Sequence, residues 1–482
     1  MLPFVERGWS RRSQLIAIAI WFVVLASVGR CGLHHQARSQ TPKTFPDSYV
    51  YFEIAEQPTR LAHLFYPKPF VVPFVYRALD RDGERIESFQ QCFAIGAWCL
   101  LGLVGALCVR RTRSRLAMSI IALAFLFAPY RVGWTSVALS ESINDSLMAL
   151  VIAAAIGLAT VAMQWPSGRM RSLACWSMTV VLGGISTAWM LARDTNAITA
   201  LVAAVLAAAI WRLDRHVRGE RWAVALIAWT IAIAGFTVWS AGVTPRAPLG
   251  IPWTDTWQPE ILARGTPSAI NYVSQRVLTT PGGREFFVER GLPQADELAR
   301  AGARGAGASA LMLDPELSPA RVWIAEHKGV YAEWLVAHPL ARANELALHL
   351  WDVLAPSDLS AYMPDGWRTA GVLGHGSTEL TSGELILIGL LIAAPLLVRR
   401  AWRHPYALVA CVLVASGVVG AAAAYYGDTI EMSRHCYGSG QQIVLGLFVA
   451  VVAWLERTSR RASPERVTMS RDTRRDRSAD PT

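Results

Sequence analysis

The chain has 482 residues, of which 53% are hydrophobic and only 17% are charged. Soluble proteins usually carry about a quarter charged residues, so this composition indicates a membrane protein and argues against a soluble enzyme. The net charge of +10 comes from arginines clustered between apolar runs. That pattern is typical of membrane topology signals and not of a nucleic-acid groove, so no nucleic-acid partner is expected.

Ten apolar runs are long enough to cross a bilayer, which takes about 20 residues, or fewer where flanking groups reach the interface. They lie near residues 14–33, 89–109, 116–132, 144–164, 173–192, 197–212, 222–242, 383–398, 405–424 and 441–455. We therefore predict an all-α polytopic membrane protein with about ten transmembrane helices.

Six arginine clusters flank these runs, and with ten spans all six fall on the same side of the membrane. They lie near residues 7–12, 110–115, 169–171, 212–221, 399–403 and 457–461. The positive-inside rule assigns that side to the cytoplasm, together with both termini. The abundance of Ala, Gly and Trp, with arginine in place of lysine, further suggests a bacterial protein, and hence a bacterial plasma membrane.

The order of the runs predicts four parts. Residues 1–242 form an N-terminal transmembrane module of seven spans, and residues 243–382 a mostly helical extracytoplasmic segment. Residues 383–456 form a C-terminal module of three spans, and residues 457–482 a disordered cytoplasmic tail. The first outer loop (34–88) is predicted to hold interfacial helices, because prolines interrupt its apolar stretch at 61–79. Asp47 is placed at the N-cap of one of them.

Polar groups collect at the outer ends of the predicted spans, whereas no span has an ionisable side chain in its middle. Charge-translocating carriers usually place such groups at the midplane. The groups at the outer ends are Asp47, Glu53, Glu141, Asn144, Asp145, Arg193, Asp194, Asp428, Glu431, Arg434 and His435. Five outer connections could converge on one pocket at the membrane surface, where a carboxylate can act as a base on a lipid-borne substrate.

Three motifs resemble the GT-C superfamily of integral-membrane glycosyltransferases. The first outer loop contains PDSYVYFEIA at residues 46–55, similar to that family's Asp-x-x-x-Tyr-x-x-hydrophobic-Ala loop, and residues 69–79 resemble the Pro- and Arg-containing segment that follows it. WTSVALSES at residues 134–142 is similar to a Ser-Glu motif before a span, and YAEWLVAHP at residues 331–339 is a weaker third match. Many members have Asp-Glu where this chain has Asp47-Ser48, so the base could be either Asp47 or Glu53.

The resemblance implies transfer of a sugar from a polyprenyl-phosphate carrier to a glycan, lipid or protein acceptor of the cell envelope, among membrane lipids and without a cofactor. Its implied catalytic residues are Asp47, Glu53 and Glu141. The implied donor-phosphate ligands are Arg193, Arg434 and His435, and the implied substrate-binding residues are Tyr51, Asn144, Asp194 and Glu431. No metal site is predicted, since the metal-like sequence Asp80-Arg81-Asp82 is interpreted as a solvated loop with Arg85.

Each of these residues also has a purely structural interpretation. Asp47 can be a helix N-cap, Glu141 a cap for the fourth span, and Arg193 a local partner of Asp194. Three other functions stay open as well. They are an O-antigen-type polymerase or ligase, which needs a diphosphate donor, a lipid or glycan transporter, and a non-catalytic assembly subunit.

Overall fold

The computed structural model describes residues 11–37, 44–59, 61–65, 68–213, 220–243, 265–303, 311, 314–337, 339–348, 404–427 and 432–458. Within these ranges the chain is almost entirely helical and contains no strand. Seven of the described helices are long and apolar enough to cross a membrane. The protein is therefore an all-helical, multi-pass membrane protein.

The described residues of the N-terminal part form ten α-helices. Their bounds are α1 (Arg11–Ala37), α2 (Pro46–Glu56), α3 (Val71–Ala78), α4 (Gly83–Cys108), α5 (Thr112–Leu126), α6 (Pro129–Thr135), α7 (Glu141–Gln164), α8 (Arg169–Met190), α9 (Asp194–Leu213) and α10 (Arg221–Gly242). A short 3-10 helix (Leu61–Phe65) lies between α2 and α3. Of these, α1, α4, α7, α8 and α10 have the length and hydropathy of spans.

The predicted span at 116–132 is wrong as a single helix. The 15-residue α5 ends at Leu126, and Pro129 starts the separate seven-residue helix α6. Proline has no N–H to donate and clashes with the preceding turn, so it begins a helix more readily than it continues one. The apolar part of α9 (Asp194–Ala209) is likewise shorter than the seven spans. The predicted count of ten is not confirmed.

The C-terminal part has two long described helices, α17 (Pro405–Gly427) and α18 (Met432–Thr458). Since α18 begins well before residue 441, His435 lies in its first turns and not in the predicted outer turn. The predicted span at 383–398, the tail at 459–482, Asp428 and Glu431 lie outside the described residues.

The spans have two chemically different ends. One, the arginine end, carries Arg110, Arg169, Arg171, Arg212 and Arg221. There the main-chain N–H of Arg110 donates to the Glu456 carboxylate at 3.1 Å, which joins the ends of α4 and α18. The opposite, polar end carries Arg30, Glu141, Asp145, Arg193 and His435. The predicted separation of the arginine clusters from the other polar groups therefore holds for these described residues.

The first loop folds against the polar end. The main-chain N–H of Val71, at the start of α3, donates to the carbonyl of Leu191 at 3.1 Å, and the Tyr76 hydroxyl donates to the carbonyl of Leu139 at 2.9 Å. Asp47 is not the N-cap, because α2 starts at Pro46 and Phe45 caps it, with the Ser48 hydroxyl accepting from the Phe45 N–H at 3.0 Å. Its carboxylate pairs with Lys68 at 2.7 Å.

The extracytoplasmic segment predicted at 243–382 is helical wherever it is described. It contains α11 (Gly265–Tyr272), a π-helical turn (Val273–Val277), α12 (Pro281–Glu289), α13 (Ala295–Ala303), a 3-10 turn (Pro315–Leu317), α14 (Ser318–Glu326), α15 (Lys328–Ala337) and α16 (Pro339–Leu348). Its own apolar core surrounds Tyr272, Phe287 and Leu298. Hydrogen bonds from the Tyr331 hydroxyl to the Tyr426 carbonyl and from the Tyr426 hydroxyl to the Arg342 carbonyl attach it to the polar end of α17.

Gly302 is required where α13 crosses the π-helical turn. A methyl group on Gly302 would collide with the main-chain carbonyl of Ser274, which cannot rotate away. We expect Gly302→Ala to destabilise this segment by about 1–3 kcal/mol, the usual penalty for overpacking. The matched control is Gly282→Ala, since a methyl group there meets open space. Thermal unfolding and limited proteolysis of the purified variants would check this, and equal stability of the two would contradict it.

Candidate functional site

Arg193, which precedes α9, joins three helices at the polar end. Its guanidinium lies 3.6 Å from a Glu141 carboxylate oxygen and 3.0 Å from the Nδ1 atom of His435. Glu141 is the first residue of α7, and His435 is the fourth residue of α18. Both Glu141 and Arg193 are buried. Arg193 therefore contacts residues of two helices that are distant in sequence.

The hydrogen bond to His435 fixes the state of its imidazole. Arginine can only donate, so the Nδ1 atom of His435 accepts and its proton lies on Nε2. In this arrangement His435 is neutral, and it orients the guanidinium of Arg193. Arg193 itself carries the charge.

A second buried ion pair lies one helical turn further along α7. Arg131 of α6 and Asp145 of α7 approach to 3.1 Å, with both side chains about 5% exposed or less. The guanidinium of Arg131 also lies 4.2 Å from the centre of the Trp98 ring. Asp145 is within electrostatic range of Glu141 and Arg193 as well. The two ion pairs therefore form one network.

Arg30 of α1 completes this network from the other side. Fully buried, it donates to the carbonyls of Leu126 and Arg131, at 2.9 Å and 2.6 Å, and to the side chains of Gln91 and Thr135. All these acceptors are neutral. The buried charge cluster (Arg30, Arg131, Arg193, Glu141 and Asp145) thus holds three guanidinium groups and two carboxylates. Among these five side chains the guanidinium groups outnumber the carboxylates by one, and a further buried carboxylate, Glu87 of α4, lies one turn before Gln91 and contacts His34 at 3.1 Å.

Three helix N-termini meet at this cluster. Helices α7, α9 and α18 start at Glu141, Asp194 and Met432. The side-chain amide of Asn196 donates to Asn144 at 2.6 Å, which ties α9 to α7, and the contact of His435 with Arg193 adds α18. First-turn N–H groups and the helix dipole both favour an anion at such ends. The three guanidinium groups and the three N-termini therefore favour the same kind of ligand.

The first loop brings a carboxylate and an amine to the edge of this cluster. Asp47 of α2 and Lys68 form an ion pair of 2.7 Å, with both side chains about one quarter exposed. The Lys68 ammonium also lies 5.7 Å from the centre of the Tyr51 ring. Tyr51 is almost fully buried and packs edge-on against Tyr76. The exposed side of this group is formed by Asp47 and Lys68.

Tyr51 lies between the loop carboxylate and the buried charge cluster. Burial raises the pKa of its phenol most strongly. The charge of Lys68 lowers this pKa by a smaller amount, and the charges of Asp47 and then Glu141 raise it further. Its hydroxyl also hydrogen-bonds the side chain of Ser140. Tyr51 therefore remains a protonated hydrogen-bonding group, and it interacts with Asp47 on one side and with Glu141 on the other.

The remaining predicted site residues have different positions. Glu53 lies two residues after Tyr51 on α2, and side chains at that spacing do not share a helix face. Asp194 is half-buried in the first turn of α9, next to Arg193. Arg434 lies in the first turn of α18, but its side chain, like Glu431, lies outside the described residues.

Sequence reasoning missed Arg30, Arg131 and Lys68. Arg30 and Arg131 stand near the ends of predicted apolar runs, where a lone arginine usually reaches out to the interface. The weak signal for Arg131 was Pro129 just before it, which should have ended the span. The signal for Lys68 was compositional, because lysine occurs only at positions 43, 68 and 328.

An apolar cavity of about 260 Å³ lies between α7, α8, α9, α10 and α17. It extends from Trp222 and Leu408, near the arginine end, to Met148 and Thr199, about two helical turns from Glu141 and Arg193. An apolar cavity of this kind does not hold ordered water.

Comparison with known proteins returned solved structures only. No family model and no curated protein matches the chain. Similar structures include the apo oligosaccharyltransferase of Archaeoglobus fulgidus, 12% identical with a TM-score of 0.45, where the match covers 92% of this chain and 51% of that chain. The same archaeal enzyme in complex with an inhibitory peptide and a dolichol-phosphate is 13% identical with a TM-score of 0.45, covering 93% and 52%. The chain thus spans about half the length of these neighbours, and a likeness this low assigns no activity.

Proposed function

We propose that the protein is a membrane glycosyltransferase that moves a sugar from a polyprenyl-phosphate donor to an acceptor of the cell envelope. The reaction takes place at the polar end of the bundle, which we assign to the outer face of a bacterial plasma membrane, with both termini in the cytoplasm. The acceptor is a glycan, a lipid or a protein. A polyprenyl phosphate suits this end of the bundle because its headgroup is anionic and its hydrocarbon tail lies in the bilayer.

The observation that carries this proposal is the electrostatics of the buried charge cluster. Three guanidinium groups largely removed from water lie at the end of the bundle where three helix N-termini meet, and both features favour an anion there. Arg193 presents a planar fork of donors that matches the oxygens of a phosphate. Glu141 and His435 hold that fork in place from two sides.

The Asp47–Lys68 pair supplies the second half of the reaction. The nearby ammonium favours the ionised carboxylate, which is the form that accepts a proton. The acceptor oxygen forms a bond to the anomeric carbon of the sugar, and the bond from that carbon to the phosphate oxygen breaks. The electron pair leaves with the phosphate, where Arg193 stabilises the charge, and the acceptor's proton passes to Asp47.

The contacts below the site favour an enzyme over a transporter for a sugar. The hydrogen bond between Asn144 and Asn196 lies between Arg193 and the apolar cavity, since Asn196 precedes the cavity-lining Thr199 on α9. A methyl group on Gly420 of α17 would collide with Thr199 of α9, so these helices also pack closely at this depth. A polar headgroup would have to break these contacts to move further into the bundle.

The test uses purified protein in lipid nanodiscs with a radiolabelled polyprenyl-phosphate sugar. We expect Asp47→Asn to reduce transfer about 10²- to 10⁴-fold, the usual contribution of a general base. Glu53→Gln decides between the two candidate bases, because only the variant that removes the base should show this loss. The control is Asp80→Asn, whose exposed carboxylate lies in the same loop region. Undiminished transfer by Asp47→Asn would remove Asp47 from the mechanism.

A further inference from the structure

A separate feature of the bundle, outside the proposed reaction site, is the apolar cavity between α7, α8, α9, α10 and α17. Its lining is almost wholly aliphatic or aromatic, and the polar exceptions include Ser416 and Gln442, which hydrogen-bond each other at 2.7 Å. Their polar atoms are thus already paired with each other. A molecule bound in the cavity would make dispersion contacts and few hydrogen bonds, and a hydrocarbon chain suits such an environment.

The charged groups near the cavity lie at the arginine end. Trp222 lines the cavity and directly follows Arg221, the exposed first residue of α10. Arg212 is exposed near the end of α9, beyond the cavity-lining Ala207. Arg171 of α8 lies 3.4 Å from Glu220. Basic residues between transmembrane helices at a membrane surface bind the anionic headgroups of lipids.

We propose that the cavity holds an acyl chain of an anionic phospholipid whose headgroup lies at the arginine end, at the exposed Arg212 and Arg221. The chain enters from the leaflet opposite the reaction site and fills the space that would otherwise stay empty. Because the Asn144–Asn196 hydrogen bond lies between the cavity and Arg193, this lipid is distinct from the proposed sugar carrier. Its role is to complete the packing of α9 and α10 against α17.

Photocrosslinking of the full-length protein in nanodiscs tests this assignment. Three probes are compared: phosphatidylglycerol and phosphatidylcholine with the same diazirine-bearing acyl chain, and a diazirine-bearing polyprenyl phosphate. Ala203→Trp fills the cavity, since Ala203 lines it. The matched control is Val205→Trp, because Val205 lies on the same helix but is 57% exposed. Ala207→Met, a smaller change in the same lining, serves if the tryptophan variant does not fold.

The expected result is labelling of the α9 residues that line the cavity by the phosphatidylglycerol probe, several-fold above labelling by phosphatidylcholine. That labelling should fall several-fold in Ala203→Trp or Ala207→Met and stay unchanged in Val205→Trp. Labelling that persists in the cavity-filling variants would contradict the proposal that the lipid binds in this cavity. Equal labelling by the two phospholipids would contradict the preference for an anionic headgroup. Cavity labelling by the polyprenyl phosphate alone would contradict the proposal that the occupant is a phospholipid. None of these results depends on glycosyl transfer.

Discussion

Replacing Arg193 with lysine is expected to reduce sugar transfer about 10²- to 10³-fold, the range found when one preorganised donor to a developing negative charge is removed. The charge remains, but an ammonium cannot present two donors in one plane and cannot reach Glu141 and His435 in the same geometry. Since the ammonium of the variant would still offset the charge of Glu141, the variant should fold. Initial rates with radiolabelled donor, and the KM for that donor, measure the effect.

The matched control for Arg193→Lys is Arg85→Lys, because Arg85 is 61% exposed and pairs with Asp80 in solvent. We expect this control to transfer sugar at the native rate. A native rate for Arg193→Lys would show that this guanidinium does not bind the donor phosphate. The proposed function would then lose its main support, whatever the result for Asp47.

Removing one partner of the Arg131–Asp145 pair is expected to cost about 3–5 kcal/mol of unfolding free energy, because it leaves a buried charge without compensation. Asp145→Asn is the sharper variant, since it keeps the shape of the side chain and leaves Arg131 charged between Trp98 and α7. Denaturation of the purified variant, followed by circular dichroism, measures the loss.

The double variant Arg131→Met with Asp145→Leu should regain most of this stability, because an apolar pair of similar volume avoids the cost of desolvating two ions. The contrasting control is Arg85→Ala, which removes one partner of an exposed pair and should change stability by no more than about 1 kcal/mol. If Asp145→Asn were as stable as the native protein, water would have to reach this pair, and the buried charge cluster would not be dry.

The long apolar helices could be predicted from the sequence because a span is specified locally. Each needs about 20 apolar residues, and the runs at 89–109, 144–164 and 222–242 match α4, α7 and α10 closely. The helix bounds were harder to predict. The apolar run at 116–132 continues past Phe127, whereas the helix α5 ends there because Pro129 starts a new helix. The apolar run at 441–455 starts later than α18 does, because the first turns of α18 are polar.

The sequence predicted several residues of the site but not which of them contact each other. Sequence reasoning placed Glu141, Arg193 and His435 at the same end of different spans, and the structure brings those three together. As a structural alternative it offered only Asp194 as a partner of Arg193, because neighbours in sequence are the only contacts that a sequence shows directly. The contacts with Glu141 and His435 come from helices that the fold makes adjacent.

Arg30 and Arg131 were missed for a related reason. A lone arginine near the end of an apolar run has the same sequence pattern whether its side chain reaches water or turns inward. What turns Arg30 inward is a set of acceptors on α4, α5 and α6, far along the chain. Only the packed bundle reveals that these two cations share the polar end with Arg193.

The hydrogen bond between the Val71 N–H and the Leu191 carbonyl has a consequence for how this protein can diverge. It is made by main-chain atoms only, so exchanging either side chain leaves the bond in place, apart from a proline at position 71. The loop that carries Asp47 is thereby held next to the turn that carries Arg193 by a link that point mutations hardly touch. Laboratory evolution of acceptor preference can therefore explore the lining of the loop freely while the two halves of the site keep their spacing.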